Sequence, residues 1–560
     1  MRELKARLGE GIALTNLGDA LFNLDRLLEA EQVLFAGVEV WESLRAGLGN
    51  NDALKVSIFE TQLATYRNLQ EVLADQDKAA IALEVSERGR ARAFVELIAR
   101  DTTGVDQEQF AVEPPSLDQL RQTAIDQNAT LVEYSIIREQ AVDTPHGASE
   151  QYLETQESEL FIWVIAPTGE VTFRRVDLRS QPSLSDVSLA ELANVARQGI
   201  RGGEVALDSG IDESRTGENA ALNPGDLVRR LGDPANWQPY QVTAVDLDAG
   251  TVTLSHPEIT LPAPVALAEV YPAESQQPQV RRSQYRRLQQ LHQILVEPIA
   301  DLLPDNPDER VIFVPQEYLF LVPFPALQAA DGQYLVEQHT LLTTPAVQVL
   351  ELSQQRSSSA NAAQTAVVVG NPAPMPASLT PLPYAEAEAE AIAQLLNTTA
   401  ITGTEATETA IKQRLSEAQI IHFATHGLFN ETHPLQGAIA LAPSTAEEDG
   451  FLTAAEILDL SINAELVVLS ACDTGRGKIT GDGVVGLSRS LIAAGAPSVM
   501  VSLWQVPDDA TSQLMIEFYR QRQEFDDAQA LRQSMLTVMQ TYPNPRDWAA
   551  FTLVGSTPQR

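Results

Sequence analysis

The stretch AELVVLSACDTGRGK (Ala464–Lys478) begins with an apolar run. That run ends at Cys472, the only cysteine in the chain. A second apolar run, AQIIHFATHGLF (Ala418–Phe429), ends at His426 and Gly427, and His426 precedes Cys472 by 46 residues (472 − 426 = 46). Short apolar runs are typical of buried strands. A histidine and a lone cysteine beyond two strand ends, at this spacing, indicate a thiolate nucleophile with an imidazole as its proton acceptor.

The half of the chain around these residues alternates strand and helix patterns. The predicted strands are Arg310–Pro315, Thr365–Pro372, Gln419–Thr425, Glu465–Ala471 and Ser498–Trp504, and the predicted helices are Ala385–Leu396, Glu405–Glu417 and Val484–Ala494. Continuous apolar strands separated by helices are typical of a parallel sheet buried on both faces. The sequence therefore predicts an α/β domain, a mostly parallel sheet flanked by helices. Such sheets bind ligands at the carboxyl ends of their strands, where His426 and Cys472 would lie.

Three of the motifs in this half of the chain also have other interpretations. Cys472 alone would most simply be a buried core thiol, and the His-Gly pair at this spacing is what favours a nucleophile. His422 and His426 form H-x-x-x-H, but no glutamate follows the first histidine and the segment is predicted as a strand, so we expect no metal site. GDGVVG (Gly481–Gly486) does not open a βαβ unit, and we predict a loop running into a helix at Val484 rather than a dinucleotide site.

The first hundred residues have helical periodicity and almost no proline. Two segments, NLGDALFNLDRLLEAEQVL from Asn16 and NLQEVLADQDKAAIALEV from Asn68, look like copies of one unit, 52 residues apart (68 − 16 = 52). They share a leucine (Leu21, Leu73) and an alanine (Ala30, Ala82) at matching positions. This resembles tetratricopeptide (TPR) repeats with a longer spacing, so we predict a TPR-like region over residues 1–103, a plain helical bundle being the alternative. We predict that KAAIALEVSERGRARAFVELIAR is one helix leading out of this region.

Strand patterns begin after residue 104, at Leu131–Ile136, Glu159–Pro167 and Val171–Leu178. A polar, glycine-rich segment then precedes three short strand candidates, DLVRRL, YQVTAVDLD and TVTLSH. We predict a small β-rich insertion over residues 203–273, within a domain that runs over residues 104–556.

The composition restricts the possible partners. The chain has 76 acidic and 38 basic residues, a net charge of −38, which repels nucleic acid and anionic membranes. One cysteine allows no internal disulfide, which fits a reducing compartment. The opening segment MRELKARLGEGIALTNLG has charges throughout and lacks the apolar part of a signal peptide, and no apolar stretch is long enough to span a membrane. We expect a cytoplasmic protein.

Taken together, these residues resemble the CHAT family, caspase-like domains joined to tetratricopeptide repeats. The shared pattern comprises VPQEYLFLVPFPAL, LPYAEAEAEAIAQLL, IIHFATHGLF, LVVLSACDTGRGK, GDGVVGLSRSLIAAGAPSVMVSLWQVPD and DWAAFTLVG, and extends from Leu117 to Ser556. The resemblance implies a fold of the caspase and separase clan and a catalytic dyad of His426 and Cys472. The strand-rich segment Pro224–Val270 lies outside the shared pattern.

The resemblance and the dyad together predict a cysteine-type endopeptidase that cleaves a protein substrate. Cys472 would attack the scissile carbonyl, His426 would accept and return the proton, and the amides of Gly427 and Cys472 would form the oxyanion hole. Asp473 and Asp482 are either carboxylates that bind a basic substrate side chain or solvated acids that cap turns. No cofactor is required. The TPR-like helices are predicted to bind a protein regulator or dock the substrate.

The alternative function belongs to a different class. In it the chain is a signalling scaffold, whose caspase-like domain binds partner proteins and cleaves little.

Overall fold

The centre of the protein consists of strands in which every residue is buried, such as Ile420–Ala424, Leu466–Ser470 and Ser498–Ser502. These strands are apolar without alternation because helices cover both faces of their sheet. The side chains of successive residues in a strand pack in two different hydrophobic cores, one on each face of the sheet. Val368 belongs to one of these cores and Val367 belongs to the other. This arrangement confirms the predicted α/β class.

The computed structural model describes residues 2–47, 52–103, 112–140, 155–185, 187–201, 227–230, 240–246, 251–255, 265–266, 270–272, 280–357, 365–376, 379–430, 433–444, 448–471, 478–480 and 483–556. The helices are α1 Arg2–Asn23, α2 Leu27–Ala46, α3 Asp52–Ala74, α4 Ala79–Arg88, α5 Arg92–Thr103, α6 Leu117–Gln127, α7 Leu189–Arg201, α8 Val280–Leu295, α9 Leu335–Gln338, α10 Val347–Ser357, α11 Pro383–Leu395, α12 Glu408–Leu415, α13 Ala454–Leu458, α14 Leu487–Ala493, α15 Asp508–Gln521 and α16 Asp527–Met539.

The strands are β1 Ala129–Gln140, β2 Thr155–Ile165, β3 Val171–Asp177, β4 Leu227–Arg230, β5 Tyr240–Asp246, β6 Thr251–Ser255, β7 Val265–Ala266, β8 Val270–Pro272, β9 Arg310–Val314, β10 Thr340–Thr343, β11 Ala366–Pro372, β12 Ile401–Gly403, β13 Ile420–Ala424, β14 Gly427–Leu428, β15 Ala438–Ala440, β16 Phe451–Thr453, β17 Leu466–Ser470, β18 Lys478–Thr480, β19 Gly483–Val485, β20 Ser498–Ser502 and β21 Phe551–Gly555.

Within these ranges, eleven strands form one mixed sheet in the order β12-β11-β13-β17-β20-β21-β10-β9-β1-β2-β3. The neighbours from β12 to β20, and those from β21 through β10 and β9 to β1, pair in parallel. Three pairs are antiparallel, namely β20 with β21, β1 with β2, and β2 with β3. The sheet is therefore mostly parallel, as predicted.

The N-terminal region contains two successive helical hairpins, α1–α2 and α3–α4. Their turns are built alike, because Asp25 and Asp77 both have a left-handed backbone with φ of 58°. In each turn the next amide donates to the carbonyl of the matched leucine at 2.9 Å, Leu21 in the first and Leu73 in the second. Left-handed residues commonly end helices in this way. The matched alanines, Ala30 and Ala82, are fully buried. The two hairpin turns are therefore 52 residues apart (77 − 25 = 52), the same distance as between the two similar sequence segments.

The segment predicted as one helix after Lys78 is instead two, and this prediction was wrong. Helix α4 ends at Arg88, and α5 starts at Arg92. Gly89 lies so close to Tyr66 that a Cβ atom would approach the ring to 2.7 Å. Ala91 then has φ of 47°, which no helix interior accommodates. The chain turns here because Gly89 has no side chain and can pack directly on the tyrosine.

The N-terminal helices pack on the sheet. The Trp163 indole on β2 donates to the carbonyl of Ala79 at 2.8 Å, and Arg175 on β3 pairs with Asp75 at 2.6 Å. The Val347 amide at the start of α10 donates to buried Glu87 at 3.0 Å. The helical region therefore shares a polar and apolar interface with the domain that holds His426.

The insertion forms a separate five-stranded sheet in the order β7-β6-β5-β4-β8. Its own small core consists of Val228, Tyr240, Val242, Val252, Leu254 and Val265. The three longer strands coincide with the three that the sequence predicts, whereas β7 and β8 are too short to give a pattern.

No helix in the described part of the chain is long and apolar enough to cross a membrane.

One local prediction near the site was also wrong. Gly483–Val485 is not the start of a helix but the strand β19, which pairs with Lys478–Thr480 in an antiparallel ribbon. Helix α14 begins only at Leu487. Two adjacent valines favour strand over helix because a branched Cβ restricts the side chain in a helix.

Candidate functional site

His426 lies in the turn that leaves the sheet after β13. The five residues of β13 are buried, whereas His426 is half-buried. Its Nε2 atom lies 2.7 Å from the carbonyl oxygen of Thr380, so Nε2 carries the hydrogen and donates it. The amide of Ala440 donates to the His426 carbonyl at 2.9 Å. The contact with Thr380 orients the ring and leaves Nδ1 as the proton-accepting nitrogen, and the contact with Ala440 holds the backbone of His426.

The parallel pairing of β13 and β17 relates His426 to the end of β17. Ala424 is paired with Ser470 in the register of these two strands. Two residues onward from each partner, the sequence reaches His426 on one side and Cys472 on the other. Cys472 itself, together with Asp473 and Asp482, lies outside the described residues.

A cavity opens beside His426 at the carboxyl ends of β13, β17 and β20. Its lining combines apolar side chains with hydroxyl and carboxyl groups: Leu382, Ala385, Glu388, Thr425, Ser470, Ala471, Ser502, Trp504, Val506, Asp508, Thr511 and Phe551. Ser470 is only 7% exposed, and among the described residues its Oγ atom has no hydrogen-bond partner. Buried polar atoms in native proteins are seldom left without a partner, so a group that enters this cavity would find an unused acceptor and donor.

Two carboxylates reach this cavity from different helices. Glu388 on α11 is buried, and Asp508 is the first residue of α15 and is half-buried. Burial raises the pKa of Asp508, the negative charge of Glu388 adds to that rise, and His426 opposes it. Asp508 therefore lies near enough to His426 for the two charges to interact. A cationic group between the two acids would relieve their mutual repulsion.

Glu388 is held by a buried network behind the cavity. The Nε2 atom of His422 lies 2.9 Å from Oε1 of Glu388, and the Tyr519 hydroxyl lies 3.3 Å from Nδ1 of His422. His422 is fully buried on β13, which agrees with its prediction as a strand residue. No group of three possible metal ligands occurs among the residues that the structure describes.

Sequence reasoning missed Glu388 and Asp508. Glu388 is one of three alternating glutamates in AEAEAEA (Ala385–Ala391), and Asp508 is one of two adjacent aspartates after Pro507. Neither sequence singles out the carboxylate that faces inward. The helical phase of α11, with buried Ala385, Glu388, Ala389 and Ile392, identifies Glu388 as an inward acid.

Comparisons with known proteins agree with these features. The family described as CHAT domain matches residues 285–556. The chain is 26% identical to tetratricopeptide repeat protein 28 of Mus musculus over 627 residues, and 26% identical to the Homo sapiens protein of that name over 628 residues. Each alignment covers 99% of this chain and 24% of the relative, so the chain spans about a quarter of the length of these relatives.

Among solved structures, the Saccharomyces cerevisiae separase–securin complex is similar over 95% of this chain and 38% of that chain. The sequence identity is 12% and the TM-score is 0.48. The family match includes β9 to β21, the strands that carry His426 and the cavity. Residues 285–556 of this chain are therefore similar to the CHAT domain family, and in this structure they include most of the α/β sheet.

Proposed function

We propose that this chain is a cysteine endopeptidase in which His426 and Cys472 form the catalytic dyad. The observation that carries the proposal is the register of β13 and β17, in which Ala424 pairs with Ser470. Two adjacent parallel strands that end at the same level deliver the residues that follow them to one edge of the sheet. His426 and Cys472 both follow by two residues.

The orientation of His426 suits a general base. Its Nε2 hydrogen is engaged by the Thr380 carbonyl, so the lone pair on Nδ1 is available to take the thiol proton. The proton then passes from the imidazolium to the leaving amine, and water releases the acyl group from sulfur.

An oxyanion hole from the amides of Gly427 and Cys472 completes this proposal. The His426 carbonyl accepts from Ala440 on β15, and the Gly427 N–H belongs to the same trans peptide group, in which C=O and N–H point in opposite directions. The Gly427 amide is therefore directed away from β15. A donor in this position can stabilise a tetrahedral oxyanion.

The cavity beside His426 favours a substrate with a basic side chain. Glu388 and Asp508 provide negative charge, and Trp504 and Phe551 provide apolar walls for an alkyl stem. Ser470 provides a hydroxyl that has no partner among the residues that the structure describes. Arginine and lysine combine such a stem with a cationic head. The net charge of −38 would also attract a basic segment.

Asp473 and Asp482 stay predictions as further substrate-binding residues, since they lie outside the described ranges. The TPR-like helices are proposed to bind a protein regulator or the protein substrate. We place the protein in the cytoplasm, because a chain with one cysteine gains nothing from an oxidising compartment.

The dyad can be tested without knowing the substrate, because Cys472 is the only thiol. Iodoacetamide alkylation of the full chain is measured from pH 5 to pH 9. A dyad predicts that wild type is alkylated at pH 6 about tenfold or more faster than His426→Gln, since the imidazole promotes thiolate formation. His433→Gln, which changes a histidine outside the cavity lining, is the control.

Cleavage is tested by comparing new protein N-termini in cells that produce wild type or Cys472→Ala. Cuts that require Cys472 support the endopeptidase. A thiol that alkylates equally with and without His426, together with no cysteine-dependent cut, would favour the scaffold.

A further inference from the structure

The antiparallel ribbon β18–β19 follows Cys472 in the chain and lies between two other segments. On one side it neighbours the 3₁₀ helix Glu317–Leu321, which follows β9. On the other side β19 leads through Gly486 into α14, against which it packs. Contacts that fix the 3₁₀ helix and α14 in place therefore also restrict the movement of the ribbon.

The first segment is held by an arginine from the N-terminal helices. Arg67 on α3 forms an ion pair with Glu317, and Arg138 on β1 contacts both carboxylate oxygens of Glu317, at 3.0 and 2.6 Å. The side chains of Arg67 and Glu317 are 12% and 14% exposed, so water screens their interaction weakly. Burial alone would raise the pKa of Glu317, but Arg67 and Arg138 hold it below its usual value.

The backbone of Glu317 is in a conformation that needs support. Its φ is 50°, a left-handed value that is uncommon for residues with a Cβ. The preceding peptide is also fixed, since the Ile136 amide donates to the Gln316 side chain at 2.6 Å and Arg90 donates to the Pro315 carbonyl at 2.8 Å. Local strain persists where surrounding contacts impose it, so the arginine contacts stabilise the direction in which the 3₁₀ helix leaves β9.

The second segment is also held by the N-terminal region. Arg489 on α14 lies over the ring of Phe94 on α5, 5.4 Å from the ring centroid. A cavity of about 40 Å³ lies between these residues and Phe320 of the 3₁₀ helix. Unfilled space at this junction lets the 3₁₀ helix and α14 shift without first breaking close packing.

We propose that the N-terminal helices control the ribbon β18–β19 through two contacts, Arg67 with Glu317 and Phe94 with Arg489. A ligand that displaces α3 or α5 loosens the ribbon from both sides and changes the reactivity of the Cys472 thiol. The coupling runs through packed, named contacts, and its strength is set by how differently the ligand binds the docked and released helices.

Amide hydrogen exchange of the full chain, read by mass spectrometry, tests this directly. In Arg67→Ala, amides of residues 478–485 should exchange about tenfold faster than in wild type, whereas β11 should be unchanged. Phe94→Leu, which keeps apolar volume and removes the ring, should act in the same direction. Arg26→Ala breaks an exposed ion pair with Glu29 in the same helical region and serves as control.

Glu317→Asn separates the effect of the charge from that of the backbone conformation. Asparagine tolerates a left-handed φ, but its neutral side chain cannot form an ion pair with arginine. Faster exchange of the ribbon in this variant is expected, with a changed rate of Cys472 alkylation. Alkylation needs no peptidase activity, so the result stands apart from the proposed function. Ribbon exchange at wild-type rates in both Arg67→Ala and Glu317→Asn would overturn the proposal, as would a uniform rise across all peptides.

Discussion

His422 and Glu388 form a buried pair, with 2.9 Å between Nε2 and Oε1, directly behind the cavity beside His426. One partner belongs to the central strand β13, and the other belongs to α11 on the face of the sheet. The pair therefore fixes a carboxylate at the wall of the proposed substrate cavity. His422 lies four positions before His426, the proposed catalytic base.

Glu388→Ala should destabilise the fold strongly. Removing one partner of a buried pair leaves the facing polar atom, here Nε2 of His422, without its hydrogen-bond partner, which costs about 3–5 kcal/mol. Glu388→Gln retains a hydrogen-bonding side chain and should cost about 1–2 kcal/mol. Denaturant unfolding measures both. Glu390→Gln, an exposed position on the same helix, is the control, and an equal effect of Glu388→Ala and Glu390→Gln would contradict the role of the pair.

Asp508→Asn should lower kcat/KM for peptides with arginine or lysine before the cut by about 10- to 100-fold, because a half-buried cation loses its counter-charge. Peptides with a neutral residue there should be nearly unaffected. Asp509→Asn, the exposed neighbour, is the matched control. A peptide library cleaved with no preference for basic residues would refute the basic-substrate assignment and leave the dyad untouched.

Glu71 should make stability depend on pH. Burial raises its pKa from 4.5 to about 8, and the carboxylates of Glu159, Glu139 and Asp75 add to this rise. Between these pH values the folded protein binds a proton that the unfolded chain has released. The stabilising effect of that proton is fully present below pH 4.5 and is lost as the pH rises through about 8.

Glu71→Gln removes the charge that forms at high pH. At pH 9 we expect this variant to be more stable than wild type by on the order of 1–3 kcal/mol, with little difference at pH 4. Unfolding midpoints at the two pH values measure the effect. A stability gain of the same size at both would show that the carboxyl group is not the cause.

The predicted strands of the sheet matched the structure where burial left continuous apolar runs. Ile420–Ala424 and Leu466–Ser470 are buried throughout, so their sequences show the pattern directly. Ile401–Gly403 and Thr340–Thr343 were missed because short strands give no periodicity. Phe551–Gly555 was missed as a strand because its burial alternates, and it pairs antiparallel with β20.

The position of His426 after a buried strand was predictable, whereas the acids of the cavity were not. His426 follows a buried strand, and that position is visible in sequence. Glu388 and Asp508 come together from helices 120 residues apart (508 − 388 = 120), and only tertiary packing selects them from many acids. The turn at Gly89 was hidden for the same reason, since Tyr66 is remote in sequence.

Deleting residues 203–273, with a short Gly/Ser linker, should leave the main domain folded. The insertion has its own small core, and α7 and α8 at its two ends pack on each other, with Gly199 close to Arg287. We expect Tm to change by no more than about 3 °C, since the described strands of the insertion pack in a core of their own. Thermal unfolding monitored by circular dichroism measures this. Loss of cooperative unfolding would mean that the insertion supports the main core.

The eleven-stranded sheet has a consequence for any shortened form of this protein. The stretch that matches the CHAT family starts at residue 285, yet β9 pairs with β1, for example Arg310 with Ala129, and β1 lies far earlier in the chain. A fragment cut at residue 285 would present the whole edge of β9, whose five residues are buried in the intact protein. Bare apolar edges recruit other chains into filaments and aggregates. An investigator who trims this protein to its family boundary should therefore obtain inclusion bodies, whereas the full chain should remain dispersed.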